Sequence, residues 1–250
     1  PGRRHYRRQG PRCHQHRRQR RPDGVPCALS RLGWREAQGL RGMSLPSTRR
    51  PYFNFFNAFQ SPLLNITWEV ETEDFTAHCR AAGVPSYQWL VHALCRACLE
   101  VEPFLWRLGA DGKPTKVTTL MPSYTVLKTD GNFNFCTVPF QADFQAYLKH
   151  SLEIKAAMER APGLAHDEEG RIDYLFITSI PWMRFTSIQH PVFDLSKVHV
   201  PSFAFGKFHV ENGRIRFPFS VQGHHGFIDG LHMHQLEEAL KKNLKLFETT

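Results

Sequence analysis

The sequence predicts an α+β fold, a two-layer sandwich in which helices cover a mixed β-sheet. Two apolar-alternating pairs of segments fold back across tight turns, one at Thr129-Asp130-Gly131-Asn132 and one at Asn212-Gly213. Other segments carry apolar residues at helical spacing between capping and stop residues. Hairpins interspersed with separate helices, and no internal repeat, point to one layered domain.

In chain order, Thr72 to Ala82 reads as a short helix, with Thr72 as cap and Gly83 as stop. Pro85-Ser86 opens a longer helix to about Val101, with Leu90, Leu94, Ala97, Cys98 and Val101 as its apolar stripe. Ser123 to Lys128 and Phe133 to Val138 form the first hairpin. Ala142 to Arg160 reads as a helix stopped by Pro162-Gly163, and Asp173 to Ser179 as a strand. Ser202 to Val210 pairs with Arg214 to Gln222 in the second hairpin. A last helix runs from about Gly230 to Phe247 and buries Leu236, Leu240, Leu244 and Phe247.

Charge divides the chain. Residues 1–42 hold twelve Arg, no Lys and two acids (Asp23, Glu36), a net of +10, and none of the twenty Phe. The remaining residues balance to −1. Such a segment buries too little apolar surface to offset its ordering entropy. Residues 1–42 are therefore expected to be an Arg-rich disordered or non-native extension, with Met43 as the start of a folded domain over residues 43–250. An arm that binds nucleic acid or membrane is the rival reading. No window approaches the ~20 apolar residues that span a bilayer. Cys13 and Cys27 fall in the extension, while Cys79, Cys95, Cys98 and Cys136 fall in apolar runs. Cys95-Arg-Ala-Cys98 has metal or redox spacing but no second pair, so core packing is expected. A reducing cytoplasm fits this usage.

The most informative segment is Gln222-Gly223-His224-His225-Gly226-Phe227-Ile228-Asp229-Gly230-Leu231. The strand leading into it has Ile215, Phe217, Phe219 and Val221 on one face and Arg214, Arg216 and Gln222 on the other. If the strand persists, His225 falls on the apolar face and His224 on the polar one. A histidine at the core edge with a carboxylate close behind is a candidate general base. His224, His225, Asp229, His232 and His234 also offer metal ligands, but adjacent strand histidines diverge and no His-Glu-x-x-His spacing occurs. No metal is expected.

From Arg49 to Phe247 the chain resembles the chloramphenicol acetyltransferases. The residues that carry the resemblance are Arg49 ahead of Phe53-Asn54-Phe55-Phe56, then Pro122-Ser123-Tyr124-Thr125-Val126, and Pro181-Trp182 with Phe185-Thr186-Ser187. Pro201 and Lys207 follow, and then His224-His225-Gly226-Phe227-Ile228-Asp229-Gly230-Leu231-His232. The resemblance implies a coenzyme-A-dependent acyltransferase-like fold. It also implies transfer of acetyl from acetyl-coenzyme A, as co-substrate, to a hydroxyl of chloramphenicol or a similar xenobiotic.

In that family the second histidine of the pair is the base, which falls on His225. The aspartate pairs with an arginine near the chain start, here Asp229 and Arg49, with Arg50 as the alternative. The family's oxyanion-holding serine aligns with Thr178, next to Ser179, and a second threonine aligns with Ala204. Lys207 falls near coenzyme A. Phe55, Phe56, Tyr124 and His190 fall in the acceptor pocket, where His190 and Phe176 depart from the usual residues. The family's homotrimer places each site at a subunit boundary, with no nucleic acid or membrane partner. A same-fold acyltransferase for another small alcohol or amine, and a nucleic-acid-binding protein using the Arg-rich arm, are the alternatives.

Overall fold

The computed structural model describes residues 44–164, 171–192 and 199–245. The Arg-rich extension, Met43 and Phe247 lie outside the described residues.

A helix α1 (Arg50–Asn57) precedes a long strand β1 (Leu63–Glu73). Helices α2 (Phe75–Ala81) and α3 (Ser86–Glu100), a 3-10 turn (Glu102–Leu105) and a small hairpin of β2 (Trp106–Leu108) and β3 (Pro114–Lys116) come next. They are followed by β4 (Met121–Leu127), β5 (Phe133–Thr137), α4 (Phe144–Arg160), β6 (Tyr174–Ser179) and β7 (Ser202–Phe205). The described chain closes with β8 (His209–Glu211), β9 (Arg214–His224) and α5 (Gly230–Lys245). The main sheet has the order β1-β9-β7-β6-β4-β5, with β8 also on β9. It is mixed, since β4–β6 and β6–β7 run parallel and the other neighbours antiparallel.

One sheet face forms the core. Ile215, Phe217, Phe219 and Val221 of β9 are fully buried, and each contributes roughly 1.5–3 kcal/mol by leaving water. They join Ile177, Phe203 and Phe205 and the helical residues Leu90, Leu94, Leu236 and Leu240. Two polar contacts fix the helix layer: Trp89 Nε1 on α3 donates to the Leu244 carbonyl of α5 at 3.0 Å, and Gln88 Nε2 donates to the Tyr124 hydroxyl at 3.2 Å. The cysteines Cys79, Cys95 and Cys98 of this layer and Cys136 of β5 are free and buried.

The other face is small and polar. Register places Thr178, Ala204, Ser220 and Thr67 side by side across β6, β7, β9 and β1. Thr67 Oγ1 donates to Ser220 Oγ at 2.9 Å, and Ser220 Oγ donates to Asn65 Oδ1 at 3.0 Å.

The structure corrects the first predicted helix. Thr72 is a strand residue, and the cap of α2 is Asp74, whose carboxylate accepts the Thr76 N–H at 3.0 Å. Leu64, Ile66, Trp68, Val70 and Thr72 alternate with Asn65, Thr67, Glu69, Glu71 and Glu73, a period-2 signal for β1 that the acidic end of the segment masked. All eleven residues of β1 pair with β9, and Glu71 meets both Arg214 and Arg216 at its polar edge. The second predicted hairpin is broken at Gly206–Phe208, between β7 and β8. A Cβ at Gly206 would stand 2.8 Å from the Pro218 ring. Among the described residues no helix is long and apolar enough to cross a membrane.

Candidate active site

The strand carrying the histidine pair ends at His224. Its carbonyl accepts the Phe227 N–H at 2.9 Å and the Ile228 N–H at 3.0 Å, and the chain turns there. The alternation that set His225 on the apolar face therefore does not reach it. His224 is the more deeply buried of the two, at 1 % exposure, and His225 is half-buried in the turn. His224 ends β9 in step with Ser220 and Gln222, as the alternation predicts, but it is covered there rather than open. Phe53 and Phe227 cover its ring, with centroids 5.8 and 4.9 Å away.

His225 Nδ1 lies 3.0 Å from the Ile228 carbonyl oxygen. A carbonyl only accepts, so Nδ1 carries the proton and Nε2 holds the lone pair. The imidazole stacks on Phe56 at 3.9 Å between centroids, and the backbone N–H of His225 donates to the Pro62 carbonyl at 2.7 Å.

Arg49, at the cap of α1, spends its guanidinium on this turn. Nε donates to the Gly226 carbonyl at 2.9 Å, Nη2 to the His225 carbonyl at 2.9 Å, and Nη1 to Asp229 Oδ2 at 2.7 Å. Arg50 is exposed. Asp229 Oδ1 accepts the Leu231 and His232 N–H groups at 3.1 and 3.4 Å, capping α5. Burial alone would raise the Asp229 carboxyl, but the Arg49 hydrogen bond and neighbouring positive charge hold it below the usual carboxylate range. On the other side, Asp229 N–H donates to His232 Nδ1 at 3.1 Å. Among the described residues no cluster of three His, Cys, Asp or Glu is placed to hold a metal ion.

The remaining predicted residues fall in three places. Thr178 is half-buried on the polar face, beside Ala204. Lys207 is exposed, and its N–H donates to the Met183 carbonyl at 2.7 Å, close to Pro181-Trp182. His190 lies over the same polar face, its backbone N–H 3.3 Å from Gln222 Oε1, and burial lowers its pKa.

Phe55 is 61 % exposed and packs edge-on against Phe56. Tyr124 is a correction. It is 1 % exposed on the core face, paired with Gln88, so it lines no acceptor pocket. Its neighbour Ser123 faces the other way, toward Phe176, and accepts from Thr137 Oγ1 at 2.9 Å.

Thr178 and His225 do not meet within one chain. Thr178 stands level with Ser220, two strands away, and β9 runs four residues beyond that level to His224 before the turn that carries His225. Strand spacings put Thr178 about 16 Å from the end of β9 at His224, several times the reach of a shared reacting atom.

This sheet, with its crossed β6–β7–β9 order and a histidine turn beyond β9, defines the coenzyme-A-dependent acyltransferase fold. The fold is shared with the dihydrolipoamide acetyltransferase of Azotobacter vinelandii, which has a TM-score of 0.55 at 15% identity, covering 89% of this chain and 96% of that one. The chain belongs to the chloramphenicol acetyltransferase family, whose model matches residues 45–241. A chloramphenicol acetyltransferase of Streptomyces acrimycini is 26% identical over 194 residues, 77% of this chain and 88% of that protein. A solved chloramphenicol acetyltransferase superposes with a TM-score of 0.71 at 28% identity, covering 78% of this chain and 94% of the other. The protein is accordingly an acetyltransferase.

Proposed function

We propose that the protein moves the acetyl group of acetyl-coenzyme A to a hydroxyl of chloramphenicol or a similar small xenobiotic, with His225 as general base. The observation that carries this is the fixed tautomer of His225. With Nδ1–H held by the Ile228 carbonyl, Nε2 is the nitrogen free to take a proton. It withdraws the hydroxyl proton as the oxygen attacks the thioester carbon, giving a tetrahedral oxyanion. The Thr178 hydroxyl donates to that oxyanion. Collapse expels the coenzyme-A thiolate, which receives the proton from His225, leaving acetyl ester and free thiol. Lys207 faces the coenzyme-A phosphates from the exposed gap between β7 and β8.

The separation of Thr178 from His225 in a single chain favours a site built at the boundary between copies, in a homotrimer. Tyr52, Phe55, Phe59 and Leu231 are all more than 40 % exposed around the histidine turn, an apolar surface that a neighbouring copy would cover. Release of coenzyme-A thiol, followed over a panel of acceptors that includes chloramphenicol, tests the reading. Acceptor-dependent release with chloramphenicol is expected. Release with other alcohols or amines and none with chloramphenicol would select the same-fold alternative.

A further inference from the structure

The peptide unit joining His225 to Gly226 is gripped at both ends. Its carbonyl accepts Arg49 Nη2 at 2.9 Å, and its N–H donates to His224 Nδ1 at 3.0 Å. The preceding peptide is held as well, since His225 N–H donates to the Pro62 carbonyl and the His224 carbonyl accepts two N–H groups of the turn. The two backbone angles on either side of the His225 α-carbon are thus set by fixed partners, and two of those partners, Arg49 and His224, are side chains.

An amide N–H only donates, so His224 Nδ1 must be unprotonated and the ring proton must sit on Nε2. Nε2 is buried with no hydrogen-bond partner among the described residues. Burial lowers the His224 pKa to about 4, with the charges of His199 and His225 acting in the same direction, so Nδ1 stays an acceptor at neutral pH. Gly226 makes the approach possible. A Cβ there would stand 2.8 Å from His224 Cε1, 2.9 Å from Nδ1 and 3.1 Å from the Phe53 α-carbon.

We propose that His224 is a positioning residue for acetyl transfer: its neutral ring, accepting the Gly226 N–H, works with Arg49 on the opposite end of the same peptide to fix the direction in which His225 presents Nε2. The role rests on His225 being the base.

The test compares His224→Asn, whose amide oxygen can take the place of Nδ1, with His224→Leu, which fills the space but accepts nothing. His224→Leu should lower kcat about 10- to 100-fold, the scale of a small misplacement of a reacting group, with KM for both substrates within about twofold. His224→Asn should recover at least about tenfold of that loss. Equal losses in the two variants, tracking their Tm, would overturn the proposal.

Should either variant fail to fold, 15N NMR of histidine-labelled wild type reads the tautomer directly. His224 Nδ1 should resonate as an unprotonated nitrogen, unchanged from pH 8 to about pH 5.5, the range above its lowered pKa. A protonated Nδ1, or titration near 6.5, would overturn the proposal. His225→Ala separates the two claims. Full activity in that variant removes the base and the positioning role together. An inactive His225→Ala with no difference between the Asn and Leu variants removes the positioning role alone.

Discussion

The histidine turn and the polar sheet face are built to different standards. In the turn, Arg49, His224, Pro62, Ile228 and Phe56 all hold His225 or the peptides beside it. On the polar face, Thr178 stands beside the methyl of Ala204, His190 makes one backbone contact, and Tyr124 has gone to the core. The proposed base is over-determined within one chain, whereas the proposed acceptor side is half-built. Chemistry that needs a fixed proton acceptor tolerates little drift in the turn. An acceptor face needs only apolar walls and a few anchors.

The contrast is broken most severely at His225. His225→Ala should lower kcat by about 10²–10⁴-fold, the worth of a placed general base, while circular dichroism stays unchanged. Retained turnover would return the turn to a structural role.

Next in size is Thr178. Thr178→Ala should lower kcat about 100-fold with little change in acceptor KM, and Ser179→Ala should be near neutral. Mixed trimers of His225→Ala and Thr178→Ala chains should regain activity, because some boundaries would then join an intact turn to an intact sheet face. Phe56 is unsuited to that experiment, since it stacks on the His225 of its own chain. Verified mixed trimers with no recovery would place both groups in the same chain's site.

A smaller effect is expected at the Arg49–Asp229 pair, whose side chains are 16% and 32% exposed. Arg49→Ala and Asp229→Asn should each lower Tm and activity, with a coupling of about 0.5–3 kcal/mol in a double-mutant cycle. Partial exposure keeps this below the ~3–5 kcal/mol of a fully buried pair. Additive losses would show that the contact is incidental.

The mildest effect is on acid stability. The folded pKa of His224 is depressed from 6.5 to about 4, so the unfolded chain takes up the proton first as the pH falls. Its contribution is present above 6.5 and is lost between 6.5 and 4, at up to about 1.4 kcal/mol per pH unit. In urea titrations the stability gap between wild type and His224→Asn should narrow across that window. A constant gap would mean that the ring titrates alike in both states.

Much of the fold was legible because its pattern is local. The cap and stop of α4 and the Asn212-Gly213 turn are written in neighbouring residues, and Asn212 does adopt a positive φ of 50°. β1 was missed although its alternation is regular, because Glu-Thr-Glu-Asp imitates a helix start and its partner β9 lies some 150 residues on. In the site, residue types and order pointed to His225 and Asp229, and the family resemblance to Arg49. The sequence did not reveal where the strand stops. With β9 ending at His224, His225 leaves the alternation and sits half-buried in the turn. Nor could period-2 reasoning see that Tyr124 and Thr178 face opposite sides of the sheet, since that depends on the register between β4 and β6.

Arg49 touches residues 176, 177 and 180 positions further along the chain. The turn proposed to aim the reaction is thus closed by residues from the two far ends of the described chain, a non-local contact that costs loop-closure entropy. On that reading, catalysis reports on completion. A chain shortened at its start past Arg49, or released before the turn beyond β9 has been synthesised, keeps most of its sheet-forming residues and has no aimed base. During refolding, acetyl transfer should return after the sheet signal has already recovered.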